Sequence, residues 1–213
     1  MRLKELAISI DDPFPVRVYD KVLDNWGALA TRFPSDVLLF PLETVGHKNR
    51  LSASESPEEF RAFLSKDPEW ATTVMEIRTE FPALCRYVFP DLPEVRTTVR
   101  FEFSGLPEDG GCILPHPDTP RKLVTMVLHF NEHWDNMWGG QFEVLRHLTR
   151  PNDDFSDYNR PRWDEVETVL AVEVMANRAI FMRRTPNSLH GVRSIKSLVT
   201  RRSITVNLIE TTK

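Results

Sequence analysis

The sequence predicts an α+β chain that is mainly β, with helices first and then antiparallel strands forming a sandwich or barrel. Three observations predict it. Apolar residues recur every three or four positions through the first ninety residues, and the period drops to two from about residue 95. No repeat, low-complexity tract or linker interrupts the 213 residues. The expectation is one domain over 1–213, with a helical N-terminal part at 1–93 packed on one outer face of a β core at 94–213.

The helical part rests on three stripes. Val22, Leu23, Trp26, Leu29, Ala30 and Phe33 share one helical face, and Pro34 ends the run. Ser56-Pro57-Glu58-Glu59 sets a capping serine before a proline at the first helical position and opens a short second helix through Phe60, Phe63 and Leu64. Asp67-Pro68-Glu69 repeats the start signal, and Trp70, Val74, Ile77, Phe81, Leu84 and Val88 continue it, with Pro82 expected to kink or split the helix. These stripes read as core.

Seven runs rich in Val, Ile, Thr and Phe then read as strands, at 95–104, 122–130, 141–147, 168–175, 178–183, 188–192 and 201–210. The polar stretch 149–164 is too long for a hairpin turn and reads as a lid, with a homodimer contact or a plain surface loop as alternatives.

Composition disfavours several function classes. A net charge of −4 does not suit a protein built to neutralise nucleic-acid phosphates, so no nucleic-acid partner is expected. Two cysteines make no disulfide framework, and the start lacks a basic region followed by an apolar core. No stretch approaches the roughly 18 apolar residues of a membrane span. A cytoplasmic protein with reduced thiols is expected, without a membrane partner.

The candidate chemistry is metal binding. Two histidines and a carboxylate on one face of an octahedral site leave positions open, which suits Fe(II). His116-Pro117-Asp118 supplies two such groups, since residues i and i+2 of an extended segment point the same way. With six histidines and 31 acidic residues, about one His-x-Asp/Glu is expected by chance. A second copy, His133-Trp134-Asp135, does occur, in a segment that reads as a hairpin loop. His190, in a strand-like segment, is the third candidate ligand.

Val99-Arg-Phe-Glu102, His116-Pro-Asp118, Arg121 to Asn131, Trp138-Gly-Gly-Gln141, His190-Gly-Val192 and Arg201-Arg-Ser-Ile-Thr-Val206 follow one another in a telling order. The stretch 99–206 resembles the 2-oxoglutarate/Fe(II)-dependent oxygenases, and within them the prolyl 4-hydroxylase-like branch. The resemblance implies a double-stranded β-helix, a jelly-roll core, with iron held by His116, Asp118 and His190. It implies Fe(II), 2-oxoglutarate and O2 as cofactors, with ascorbate as a reductant. The implied reaction hydroxylates a C–H bond and releases succinate and CO2.

The far carboxylate of 2-oxoglutarate calls for a fixed cation, best a bidentate arginine. Arg201 shares a strand face with Ser203 and Thr205 while Arg202 faces outward, and the match to the family pattern also selects Arg201. Leu123, Thr125, Val127 and His129 form one face of their strand, and the resemblance places Thr125 and His129 at the co-substrate, with His129 replacing a tyrosine. Phe101 stands where many relatives carry a tyrosine near the iron-binding end, and Asn177 replaces a turn glycine.

The expected substrate is a small-molecule metabolite. Arg121, Lys122, Arg183, Arg184, Arg193 and Lys196 flank the ligand segments and suggest that it is anionic, with a scattered solvated rim as the plainer reading. A peptide or protein side chain is the alternative substrate, and a cupin-like metal enzyme without 2-oxoglutarate the more distant one.

Overall fold

A computed structural model describes residues 1–42, 46–108, 110–155 and 160–211. Tyr158 of the 149–164 segment lies outside them. Twelve strands among these residues form two antiparallel sheets. β1 (Glu5–Ile10), β2 (Val16–Asp20), β3 (Phe40–Leu42), β4 (Lys48–Ser52), β5 (Thr97–Leu106), β7 (Lys122–His129), β10 (Ala179–Arg183) and β12 (Arg201–Glu210) make the large sheet, in the order β1-β2-β10-β7-β12-β5-β4-β3. β6 (Ile113–His116), β8 (Phe142–His147), β9 (Val166–Val172) and β11 (His190–Val192) make the small one, ordered β6-β11-β8-β9.

The seven strands expected after residue 95 are all present. The helical reading of the first ninety residues is corrected, because β1 to β4 lie there and join the large sheet. Strands that sit beside a larger sheet draw their stability from that partner, so their own short sequences carry little period-two signal. α1 (Trp26–Ala30) is a short piece of the first stripe. α2 (Pro57–Lys66) follows its start signal, but the Ser56 hydroxyl donates to the Ser52 carbonyl (3.2 Å) and does not cap the helix. α3 (Pro68–Val88) is capped by Asp67, which accepts from the Trp70 amide at 3.0 Å, and runs through Pro82 as one helix.

Alternation sorts the large sheet into two faces. Phe101, Phe103, Val124, Met126, Leu128, Ile204, Val206 and Leu208 point outward to α2 and α3, where they meet Phe60, Trp70, Val74, Ile77 and Phe81. Trp70 is fully buried against Phe103 (4.8 Å between ring centroids) and Phe130 (5.2 Å). The inner face is apolar at one end, where Val16, Val18, Ile180 and Met182 pack against Phe142 and Val144 of the small sheet. Toward β7, β12, β5 and β4 it turns polar, and there the two sheets enclose a cavity of about 310 Å³. No helix among the described residues is long and apolar enough to cross a membrane.

Candidate metal and co-substrate site

His116 ends β6 and His190 begins β11, and the two are directly paired across the ladder. Their ring centroids are 4.3 Å apart. Asp118 follows two residues after β6, and its carboxylate and the two imidazoles present ligand atoms within 4.8 Å of one another. All three side chains are buried and line the cavity.

The hydrogen bonds around this triad suit a metal. His116 Nδ1 lies 2.9 Å from the Leu114 carbonyl and His190 Nδ1 3.0 Å from the Ser188 carbonyl. A carbonyl only accepts, so each Nδ1 carries the proton and each Nε2 keeps its lone pair. Burial and the neighbouring His190 push His116 down to about 3, and burial also lowers His190, so both rings are neutral at pH 7. Burial opposes charge on Asp118, but the adjacent Lys122 ammonium outweighs it and holds the carboxyl below the usual range. Its Oδ1 contacts the Lys122 ammonium, and its Oδ2 accepts from the Thr125 hydroxyl at 2.6 Å. Two neutral imidazoles and one oriented carboxylate fit an Fe(II) ion.

Arg201 lines the same cavity and is 2% exposed, yet its Nε and Nη2 have no partner among the described residues. Burial pushes the guanidinium down to about 9, still charged at neutral pH. An unpaired buried cation is costly, and a carboxylate guest would offset that cost. Gly140 explains how the arginine fits. With φ at +78° it adopts a conformation open to glycine, and a Cβ there would stand 3.1 Å from Arg201 Cδ and 3.0 Å from the Trp134 ring.

The other expected residues are distributed unevenly. Ser203 and Thr125 line the cavity. The Thr125 hydroxyl also lies 2.9 Å from the Asn207 amide group, so it is occupied by protein partners. His129 is paired with Ser203 across the ladder and is fully buried, with both ring nitrogens unpartnered among the described residues, and it is not one of the residues lining the cavity. Burial, then Arg201 and Arg178, hold its imidazole far below the ordinary value, hence neutral. His133 and Asp135 are exposed, with Asp135 capping a 3-10 turn.

One expectation is corrected. Phe101 faces α2, 6.3 Å from the Phe60 ring, and the inner face at that level is held by Arg100 and Glu102. A residue facing the helices cannot orient a ligand in the cavity. Of the six basic residues that flank the ligand segments, only Lys122 lines the cavity, which accords with the reading of a scattered rim; Arg183 pairs with Asp91 and Arg193 with Glu143. No described residue of 149–164 lines it either, and Phe155 is buried there against the His147 ring.

Sequence reasoning missed Lys48, Arg50, Arg100, Glu102 and Asn207, all at the cavity wall. The signal was available in β5, where Arg100, Glu102 and Ser104 alternate with Phe101 and Phe103. In Glu102, burial favours the neutral acid, but Lys48, Arg50 and Arg100 outweigh it and hold the carboxyl at about 2.

Residues 101–209, just over half of the chain, match the 2OG-Fe(II) oxygenase superfamily model. The chain belongs to that superfamily. It is therefore a dioxygenase dependent on Fe(II), 2-oxoglutarate and O2. No curated protein sequence matches it. Among solved structures it is similar to a Pseudomonas putida prolyl-4-hydroxylase (19% identity, 92% of this chain and 93% of that one, TM-score 0.54). It is similar also to a Trichoplax adhaerens prolyl hydroxylase solved with a hypoxia inducible factor peptide (14% identity, 92% and 83%, TM-score 0.55). A third is SnoN, an alpha ketoglutarate dependent epimerase from nogalamycin biosynthesis (14% identity, 92% and 78%, TM-score 0.54). At these identities the likenesses establish the jelly-roll fold.

Proposed function

We propose that this oxygenase hydroxylates an unactivated C–H bond of a small-molecule metabolite, releasing succinate and CO2, with its iron on His116, Asp118 and His190. The observation that carries the reading is Arg201, a buried guanidinium with unpartnered nitrogens facing the cavity that holds the triad. When bound, Fe(II) with 2-oxoglutarate activates O2 and supplies the oxidising power. The chain's own residues position the reactants and exclude water. The Nδ1–H bonds to Leu114 and Ser188 fix the imidazoles, Thr125 and Lys122 fix Asp118, and Arg201 with Ser203 anchors the far carboxylate of the co-substrate. His129, neutral and beside Ser203, supplies a donor deeper in the same wall.

The cavity volume of about 310 Å³ lies at the small end of the range for ligand pockets, which favours a small substrate. The prolyl hydroxylases among similar structures support a second reading, a peptide side chain as substrate. We take 1–213 as one domain, because β1 to β4 share the large sheet with β12. The free thiols of Cys85 and Cys112 suit the reducing cytoplasm.

Anaerobic titration of the Fe(II) protein with 2-oxoglutarate tests the site. A metal-to-ligand charge-transfer band is expected, and its absence overturns the reading. Succinate release across panels of metabolites and of proline-containing peptides then separates the two substrate classes.

A further inference from the structure

The β4–β5 wall of the cavity carries charges that neither the metal triad nor Arg201 accounts for. Glu102 is 3% exposed, and its carboxylate meets Lys48 at 2.6 Å, Arg50 at 3.4 Å and Arg100 at 3.6 Å. Glu55, just outside the lining, takes further contacts from Arg50 and from Arg100 (2.8 Å). Arg100 Nε is buried without a partner among the described residues. Three cations thus face two carboxylates, Glu102 and Glu55, and one positive charge is left over.

The charge count of the cavity points the same way. Lys48, Arg50, Arg100, Lys122 and Arg201 line it against Glu102 and Asp118, five positive groups against two negative, an excess of three. Fe(II) adds two positive charges and 2-oxoglutarate two negative, so loading leaves that excess unchanged. Counting Glu55 as well lowers it to two. The chain as a whole carries −4, so this wall runs against the overall balance. Positive charge concentrated in a concave, low-dielectric site raises the local concentration of anions and is most stable when one is bound.

The placement is also suitable. Glu102 is on β5 and Arg50 on β4, two and three strands across the sheet from Thr125 on β7, the residue that holds Asp118. At about 4.8 Å per strand that is roughly 10 to 14 Å, the span of a small metabolite.

We propose that Lys48, Arg50 and Arg100 form the docking site for a carboxylate or phosphate group of the substrate, which is therefore an acidic small molecule held with its far end toward the triad. This names the substrate class of the site proposed above and rests on that reading. An uncharged proline-containing peptide finds no counterpart for these cations.

The test is an amide NMR titration of the zinc-loaded, 2-oxoglutarate-bound protein with inorganic phosphate, acetate and, as the uncharged match to acetate, acetamide. Saturable shifts at residues 48–52 and 100–104 are expected with phosphate, acetate or both, and none with acetamide. Phosphate alone identifies a phosphate ester, and acetate alone a carboxylic acid. The K48M/R50M variant is expected to bind at least fivefold more weakly, and K48M alone serves if the double variant does not fold. Equal response to acetamide, shifts elsewhere, no response, or an unchanged affinity in the variant overturns the proposal. Shifts of the Arg201 and Ser203 amides on adding 2-oxoglutarate report separately on the co-substrate site. Their absence counts against the oxygenase assignment, while their presence without anion binding counts against the docking site alone.

Discussion

The Thr125 hydroxyl and Asp118 Oδ2 are joined by a 2.6 Å hydrogen bond, although one residue is on β7 and the other precedes that strand. The bond leaves Oδ1 as the carboxylate oxygen shared with Lys122, and it fixes the plane in which the carboxylate meets a metal. Thr125→Val removes the donor at nearly constant volume. Metal affinity, measured by competition with a chelator, is expected to fall about 10- to 100-fold, the usual cost of losing such a supporting bond, and Thr125→Ser should recover most of it. Equal affinity in the valine and serine variants would make Thr125 a packing residue.

Removing a ligand is a harsher change. His116→Ala and Asp118→Ala are each expected to lower iron-dependent succinate formation by about a thousandfold or more, because two remaining groups hold the ion weakly and misplace it. Circular dichroism checks that the variants fold. Retained turnover in both would displace the site from this triad.

Arg201→Met should act on the co-substrate first. A charge-assisted bidentate pair in a buried site accounts for roughly 2 kcal/mol or more, so the concentration of 2-oxoglutarate giving half-maximal rate should rise by about 30-fold or more. Arg201→Lys keeps the charge without the fork and should fall between. An unchanged 2-oxoglutarate requirement in the methionine variant would remove Arg201 from the co-substrate site.

Glu102 gives a pH dependence of defined sign. Its carboxyl is lowered from 4.5 to about 2 in the fold, so its ionisation stabilises the protein above pH 4.5, and this is lost as pH falls through about 2. The shift corresponds to roughly 3 kcal/mol. Denaturant melts of wild type and Glu102→Gln should differ most near pH 6 and converge as pH is lowered toward 2. A gap that widens on acidification would contradict the ion cluster.

Trp70→Ala tests the contact between α3 and the sheet. The side chain is fully buried among aromatic rings, and its loss should cost about 3 to 5 kcal/mol in a urea melt. A change below about 1 kcal/mol would mean that α3 is weakly coupled to the sheet.

Much of this architecture was legible because it rests on local periodicity. Val124, Met126 and Leu128 alternate with Thr125, Val127 and His129, and that alternation assigns the helix-facing and cavity-facing sides of β7 without further knowledge. The same rule, applied to β5, turns Phe101 away from the site and brings Arg100 and Glu102 into it. The family pattern had drawn attention to Phe101 instead. Lys48 and Arg50 were hidden for a different reason. β4 is five residues long and takes its order from pairing with β5, so nothing in its own sequence separates it from a loop. The pairing of His116 with His190 is likewise a long-range fact that no window of sequence contains.

The central slot of β12, between β7 and β5, also bears on biosynthesis. Both neighbours are translated well before it, and until residues 201–210 emerge each lacks its partner along one edge. A ribosome-bound or prematurely terminated chain therefore carries two open strand edges of the kind that recruit other chains. Stalled synthesis in this stretch creates a substrate for chaperones and proteases, whereas a completed β12 closes both edges and brings Arg201 into the cavity at once.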